Sequence, residues 1–145
     1  MMGKTMIKNA TLIDLSVDDT SQLTDILIND SGIIEKIEPN IAETSDTTVI
    51  DANQSFVMPG LINAHAHLFS SGKPMDVKVS PGVLKLIYKI GQTALGKKII
   101  FNIMKKNATI ELNSGVTTIR SVGEFFYQDV KLRERISQGE LVGPT

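Results

Sequence analysis

Over the first 58 residues, short runs rich in apolar and β-branched side chains alternate with polar turn formers. The runs predict strands over Thr5 to Asp14, Asp25 to Ile28, Ile33 to Glu38, Thr48 to Asp51 and Phe56 to Met58. Asn29-Asp30-Ser31-Gly32 supplies a hairpin turn with a glycine free to take a positive φ, and Asp51-Ala52-Asn53 supplies a second turn. Together they predict a small antiparallel layer ending at Pro59-Gly60.

After Pro59 the pattern changes. Leu61 to Leu68 reads as a strand and is followed by a polar loop containing Gly72, Pro74 and Pro81. Apolar residues then recur at helical spacing, at Val83, Ile87, Ile90 and Ala94 and again at Ile99 and Ile103. Gly91 and Gly96 argue against one unbroken helix, so two helices or a break near Gly96 are expected, with Gly115 as the stop. Lysines 85, 89, 97, 98, 105 and 106 fall on the solvent side of this pattern. A strand over Val116 to Val122 and a helix over Phe125 to Gln138, closed by Gly139, complete a βαβα order. Strands that alternate with helices imply crossover connections and a parallel sheet with helices outside it.

The totals narrow the function classes. At 145 residues and 15.8 kDa the chain suits one ordinary domain rather than two full ones. Fifteen Lys+Arg against sixteen Asp+Glu leave no global field to attract nucleic acid or an anionic membrane surface. The lysine-bearing helices lack interleaved aromatic residues for base stacking. With no cysteine there are no disulfides, thiolate ligands or cysteine nucleophiles, which leaves His, Asp and Glu as candidate metal donors. The start has no signal-peptide pattern and no run approaches the length of a membrane span, so the expectation is a soluble, cytoplasmic protein.

Both histidines of the chain fall in one segment, PGLINAHAHL, residues 59–68. On an extended strand Asn63, His65 and His67 share one face, and Ile62, Ala64, Ala66 and Leu68 share the other. With the apolar face against helices, the imidazoles face the interior near the strand's C-terminal end, where α/β proteins place their ligand sites. Two imidazoles so held can share one divalent ion. The pair by itself leaves a second reading open, in which both rings are simply hydrated.

The chain resembles the N-terminal portion of the amidohydrolase superfamily, nearest its imidazolonepropionase-like and prolidase-like metal-dependent hydrolases. The resemblance is carried, in order, by IKNATLID, DILINDSGIIEKI, VIDANQSFVMPGLINAHAHL, LNSGVTTIRSVG and LRERISQGELVGPT. It implies an α/β fold, the first part of a (β/α)8 TIM barrel preceded by a small antiparallel β-sandwich segment. Residues 1–58 then form the sandwich portion, and residues 59–145 the first βαβα units of an incomplete barrel. It also implies that His65 and His67 bind the more buried of one or two divalent ions, zinc foremost, with no other cofactor. A metal-activated water would hydrolyse a C–N bond of a small amide or dipeptide-like substrate.

Departures from the family pattern are local. Ser121 and Glu124 stand in IRSVGE where the branch commonly has an aspartate and a glycine, while Arg120 is retained. Arg120 is read as a positioning or structural ion-pair residue rather than a catalytic one, and no catalytic residue is assigned. The resemblance places a bridging lysine, two further histidines and a metal-binding aspartate beyond residue 145. Asp76 or Glu124 could complete a two-histidine, one-carboxylate set, but both read as ordinary loop or surface carboxylates. Lys73 and Asp76 lie in the Phe69 to Ser80 loop expected to border the pocket.

The chain alone is therefore expected to bind metal weakly and to lack turnover. Homo-oligomerisation, or association with the missing C-terminal part, would cover its open edges. The alternative is a non-catalytic assembly or binding module that keeps a partial barrel. A cupin-type oxygenase also uses a His-x-His pair, but it expects a glutamate a few residues later, and Leu68 to Met75 contains none.

Overall fold

The computed structural model describes residues 3–13, 23–70 and 80–145, so Asp14, Gly72, Lys73, Pro74 and Asp76 lie outside the described residues. The fold is mixed α/β and divides into two compact units, Met1–Pro59 and Gly60–Thr145. Among the described residues no helix is long and apolar enough to cross a membrane.

The first unit is one five-stranded sheet. Strands β1 (Lys4–Leu12), β2 (Leu23–Ile28), β3 (Ile34–Glu38) and β4 (Thr47–Asp51) lie in the order β3-β2-β1-β4, and the short β5 (Phe56–Val57) also pairs with β1. The β2–β3 hairpin is antiparallel, and Gly32 takes φ 78° in its turn. The expected all-antiparallel layer is corrected: β4 and β5 run parallel to β1. The reason is topological, because after β3 the chain crosses to the far edge of β1 and re-enters in the same direction as β1. Met6, Leu27 and Ile41 form the core of this unit, and Ile41 lies on the crossover.

A bulge in β1 at Asn9 (φ 54°) shifts the register between Ile7 and Ala10. The backbone N–H freed there donates to Asp25 Oδ1 at 3.0 Å, and the N–H of Ile41 donates to Asp25 Oδ2 at 3.0 Å. Asp25 is only 4% exposed, so one buried carboxylate satisfies both the bulge and the crossover.

In the second unit β6 (Leu61–Ala66) is followed by α1 (Pro81–Gln92), α2 (Ala94–Asn113), β7 (Val116–Ser121) and α3 (Gln128–Ser137). β6 and β7 are parallel neighbours, with Leu61 opposite Val116 and Ala66 opposite Ser121. On the other edge of β7, the Thr145 N–H donates to Thr117 O at 2.9 Å, and the Ile119 N–H donates to Thr145 O at 2.8 Å.

The helix break falls at Thr93, three residues before the expected Gly96. Thr93 is the C-cap of α1 and the N-cap of α2: its hydroxyl donates to Ile90 O at 2.6 Å and accepts from the Gly96 N–H at 3.1 Å. α3 begins later than Phe125 because Phe126 and Tyr127 hold left-handed φ of 57° and 55°.

The core of the second unit is Leu68, Phe101, Met104, Ala108 and Leu132. Val83, Ile87, Ile90, Ile99 and Ile103, expected to line a packed face, are instead 43–56% exposed. Their periodicity marks which side of each helix is apolar, and the side of α2 that is covered is Phe101-Met104-Ala108. The six lysines of α1 and α2 are exposed as expected.

Candidate functional site

The C-terminal ends of β6 and β7 lie side by side, which brings the residues after Ala66 against those after Ser121. The Val122 N–H donates to Ala66 O at 3.0 Å, extending the ladder one step past the strands. At this end the alternation read from sequence is clean: Ala66 and Leu68 are buried, while His65 and His67 are exposed on the other side. Farther back it fails, since Ile62 is 72% exposed despite lying on the apolar face. Register shifts at Leu61/Ile62 and between Asn63 and Ala66 accompany that change.

The two imidazoles are neighbours, with ring centroids 5.2 Å apart and ring planes at 75°. His67 also meets the edge of Phe69, whose ring in turn contacts Phe125 at 4.7 Å between centroids. His65, His67 and Asn63 line a cleft of about 350 Å³ with Asn107 and Glu111 from α2. Asn63 Nδ2 reaches Glu111 Oε2 at 3.5 Å, and Asn63 Oδ1 accepts the His65 N–H at 3.2 Å.

The backbone around His67 is held from several sides. The Ser70 N–H donates to His67 O at 3.0 Å. Asn107 Nδ2 donates to Leu68 O at 2.7 Å and to Ser70 O at 3.1 Å. The Leu68 N–H donates to Glu124 Oε1, which also accepts from Ser121 Oγ at 3.0 Å. Glu124 is thus no ordinary loop carboxylate, and its Oε2 is buried with no hydrogen-bond partner among the described residues.

Arg120 is exposed and takes part in no ion pair among the described residues, so the expected ion-pair role is not met there. It borders a separate cleft with Asp129 and Arg133. From sequence Glu124 is weighed only as a third donor and set aside, and Asn107 and Glu111 are not singled out. Asn107 and Glu111 belong to a helix whose pattern gives no sign of which residues face the β6 end, and the contact of Glu124 with Leu68 spans 56 positions.

The separation of the rings suits a shared ion. An imidazole nitrogen sits about 2.1 Å from zinc, so the ring centroid lies roughly 3.2 Å away, and two such rings at a tetrahedral angle have centroids about 5 Å apart. Among the described residues no group of three or more His, Asp or Glu converges, so the pair supplies two donors and the set is incomplete there.

No family model matches the chain. Over 79 residues it is 41% identical to a dihydroorotase of Halalkalibacterium halodurans, a stretch covering 54% of this chain and 18% of that protein. Over 63 residues it is 40% identical to dihydropyrimidinase 2 of Caenorhabditis briggsae, covering 43% of this chain and 11% of that protein. Its fold matches the crystal structure of a prolidase-like protein from Bifidobacterium longum with a TM-score of 0.70 and 28% identity, over 99% of this chain and 29% of that one. Over these stretches the chain is similar to the N-terminal portion of amidohydrolase-superfamily proteins. It spans less than a third of the length of these relatives. In this chain the His65–His67 pair sits at the C-terminal end of the first strand of a parallel pair, beside a cleft lined from α2 by Asn107 and Glu111.

Proposed function

We propose that the chain is the N-terminal portion of a metal-dependent amidohydrolase that cleaves a C–N bond in a small amide or peptide-like substrate. His65 and His67 would ligate a divalent ion, zinc being the best match to imidazole donors. The observation that carries the reading is the pair itself: two rings 5.2 Å apart on one side of the β6 end, with the backbone between and after them fixed. The family relatives, hydrolases acting on C–N bonds, support the reaction class.

A bound divalent ion supplies two effects, lowering the pKa of a water and polarising the scissile carbonyl. This chain's own residues would do the holding. His65 and His67 would present two ring nitrogens, Asn107 and Glu124 keep the 67–70 backbone from drifting, and Asn63 and Glu111 line the cleft beside them. The remaining donors would come from sequence beyond residue 145, in keeping with the fraction of its relatives that the chain covers. On this reading the Gly60–Thr145 unit begins a (β/α)8 barrel, and the Met1–Pro59 unit is part of a β-sandwich. The 145 residues alone would bind metal weakly and show no turnover.

The test is hydrolysis by the complete gene product, stripped of metal and reloaded with zinc, on cyclic dihydropyrimidine amides and on Xaa-Pro dipeptides. Zinc-dependent hydrolysis of one class, abolished by His65→Ala and by His67→Ala, is the expected result. Absence of hydrolysis in both classes by the zinc-loaded protein would contradict the proposal.

A further inference from the structure

We infer that Glu124 is the positioning residue for His67, fixing the second imidazole of the pair where it can meet a divalent ion; this rests on the ligand reading of His65 and His67.

Three observations converge on it. First, Glu124 Oε1 accepts the N–H of Leu68, the residue directly after His67, and the Ser121 hydroxyl holds the same oxygen at 3.0 Å. A carboxylate carried on the turn after β7 therefore tethers the backbone at the end of β6. Second, that tether is one side of a clamp. The Leu68 side chain is buried in the core with Phe101, Met104, Ala108 and Leu132, and its carbonyl accepts from Asn107 at 2.7 Å. Both peptide groups of Leu68 are thus fixed, and with them the Cα from which the His67 ring projects. The His65 N–H, by contrast, donates to the Asn63 side chain two residues away on the same strand.

The third observation is the state of Glu124 itself. Its Oε2 is buried and has no partner among the described residues. A carboxylate kept only to cap a turn would leave its second oxygen in water, because burying an unpaired charged oxygen opposes folding. Gly123, beside it, takes φ 73°, and a Cβ at that position would lie 3.8 Å from His67 Cε1. The turn that bears Glu124 therefore passes close to the His67 ring, and its carboxylate is bonded to the residue that follows His67. Here the carboxylate would act through the backbone rather than through the ring N–H, by fixing the peptide that leaves His67.

The test uses the untagged 145-residue chain and zinc alone, read by the imidazole resonances of its only two histidines. Glu124→Ala is expected to weaken zinc binding roughly 10–100-fold. In the metal-free protein it should shift the His67 resonances while leaving those of His65 in place. Glu124→Gln, which keeps an acceptor oxygen for Leu68 and Ser121, should restore most of the affinity. Ser121→Ala, which removes one of the two donors to Oε1, should give a smaller loss in the same direction, and it decides the matter if Glu124→Ala fails to fold. Wild-type affinity in Glu124→Ala, or in Ser121→Ala where that variant carries the test, overturns the inference, as does a Glu124→Gln protein as weak as the alanine variant. Failure of the wild-type chain to bind zinc at all would instead overturn the ligand reading, a result distinct from equal binding by wild type and variant.

Discussion

Gly96 lies so close to Ile90 that a Cβ built on it would overlap the Ile90 carbonyl oxygen and stand 2.7 Å from the Cα of Gly91. The last turn of α1 and the first turn of α2 touch through bare backbone, with Thr93 capping both helices at the junction. Gly96→Ala should therefore destabilise the second unit by about 1–3 kcal/mol, the usual cost of forced overpacking, and more if the helices must part. Gly82 provides a control of opposite sign. It is in α1 with nothing within 4 Å of its would-be Cβ, so Gly82→Ala should be neutral or stabilising by up to about 1 kcal/mol. Urea unfolding of the two variants measures both.

Asp25 spans the first unit by accepting the N–H groups of Asn9 and Ile41 from a site that is 4% exposed. Asp25→Ala leaves both donors without their acceptor, at about 1–3 kcal/mol each. Asp25→Asn, which keeps one carbonyl oxygen, should lose less. Chemical denaturation followed by the β-sheet signal distinguishes the two, and equal midpoints for wild type and Asp25→Ala would rule out the staple role.

Met104 is fully buried at the centre of the α2 contact with Leu68 and Leu132. Met104→Ala should cost about 2–5 kcal/mol through lost contacts and the cavity left behind, whereas Met104→Leu should cost under about 1.5 kcal/mol. Because Leu68 follows His67, the alanine variant should also broaden the His67 imidazole signals, a coupling that NMR line widths would detect.

Asp51 has its carboxyl pKa held below the ordinary value, first by the backbone N–H of Asn53 and then by the side-chain amide of Asn9. A carboxylate whose folded pKa is depressed stabilises the fold above its unfolded pKa of about 3.9, and loses that contribution as the pH falls from there through the lower folded value. The stability difference between wild type and Asp51→Ala should accordingly be constant near neutrality and shrink below about pH 4. Unfolding midpoints between pH 7 and pH 3 check the sign: a difference that grows with acid would contradict it.

The parts legible in the sequence were those set by local chemistry. Asn29-Asp30-Ser31-Gly32 announces a turn because only certain residues take its dihedrals, and Ala66 and Leu68 announce a buried face by spacing alone. The parallel pairing of β4 with β1 was not legible, because no residue in either strand reports which edge a crossover will reach. The late start of α3 follows from left-handed Phe126 and Tyr127, residues whose types do not advertise that conformation. At the site, the His-x-His pair was readable as a spacing. Glu124 was readable only as a candidate third donor; its contact with Leu68 was not, since that partner is defined only once β6 and β7 lie side by side.

The central claim, that His65 and His67 share one divalent ion, is tested most directly by following both imidazoles of the untagged chain by NMR during a zinc titration at fixed pH. The account predicts that the two sets of ring resonances shift together, with one midpoint and one ion per chain. Rings that respond with separate midpoints, or only one ring responding, or neither, would contradict it.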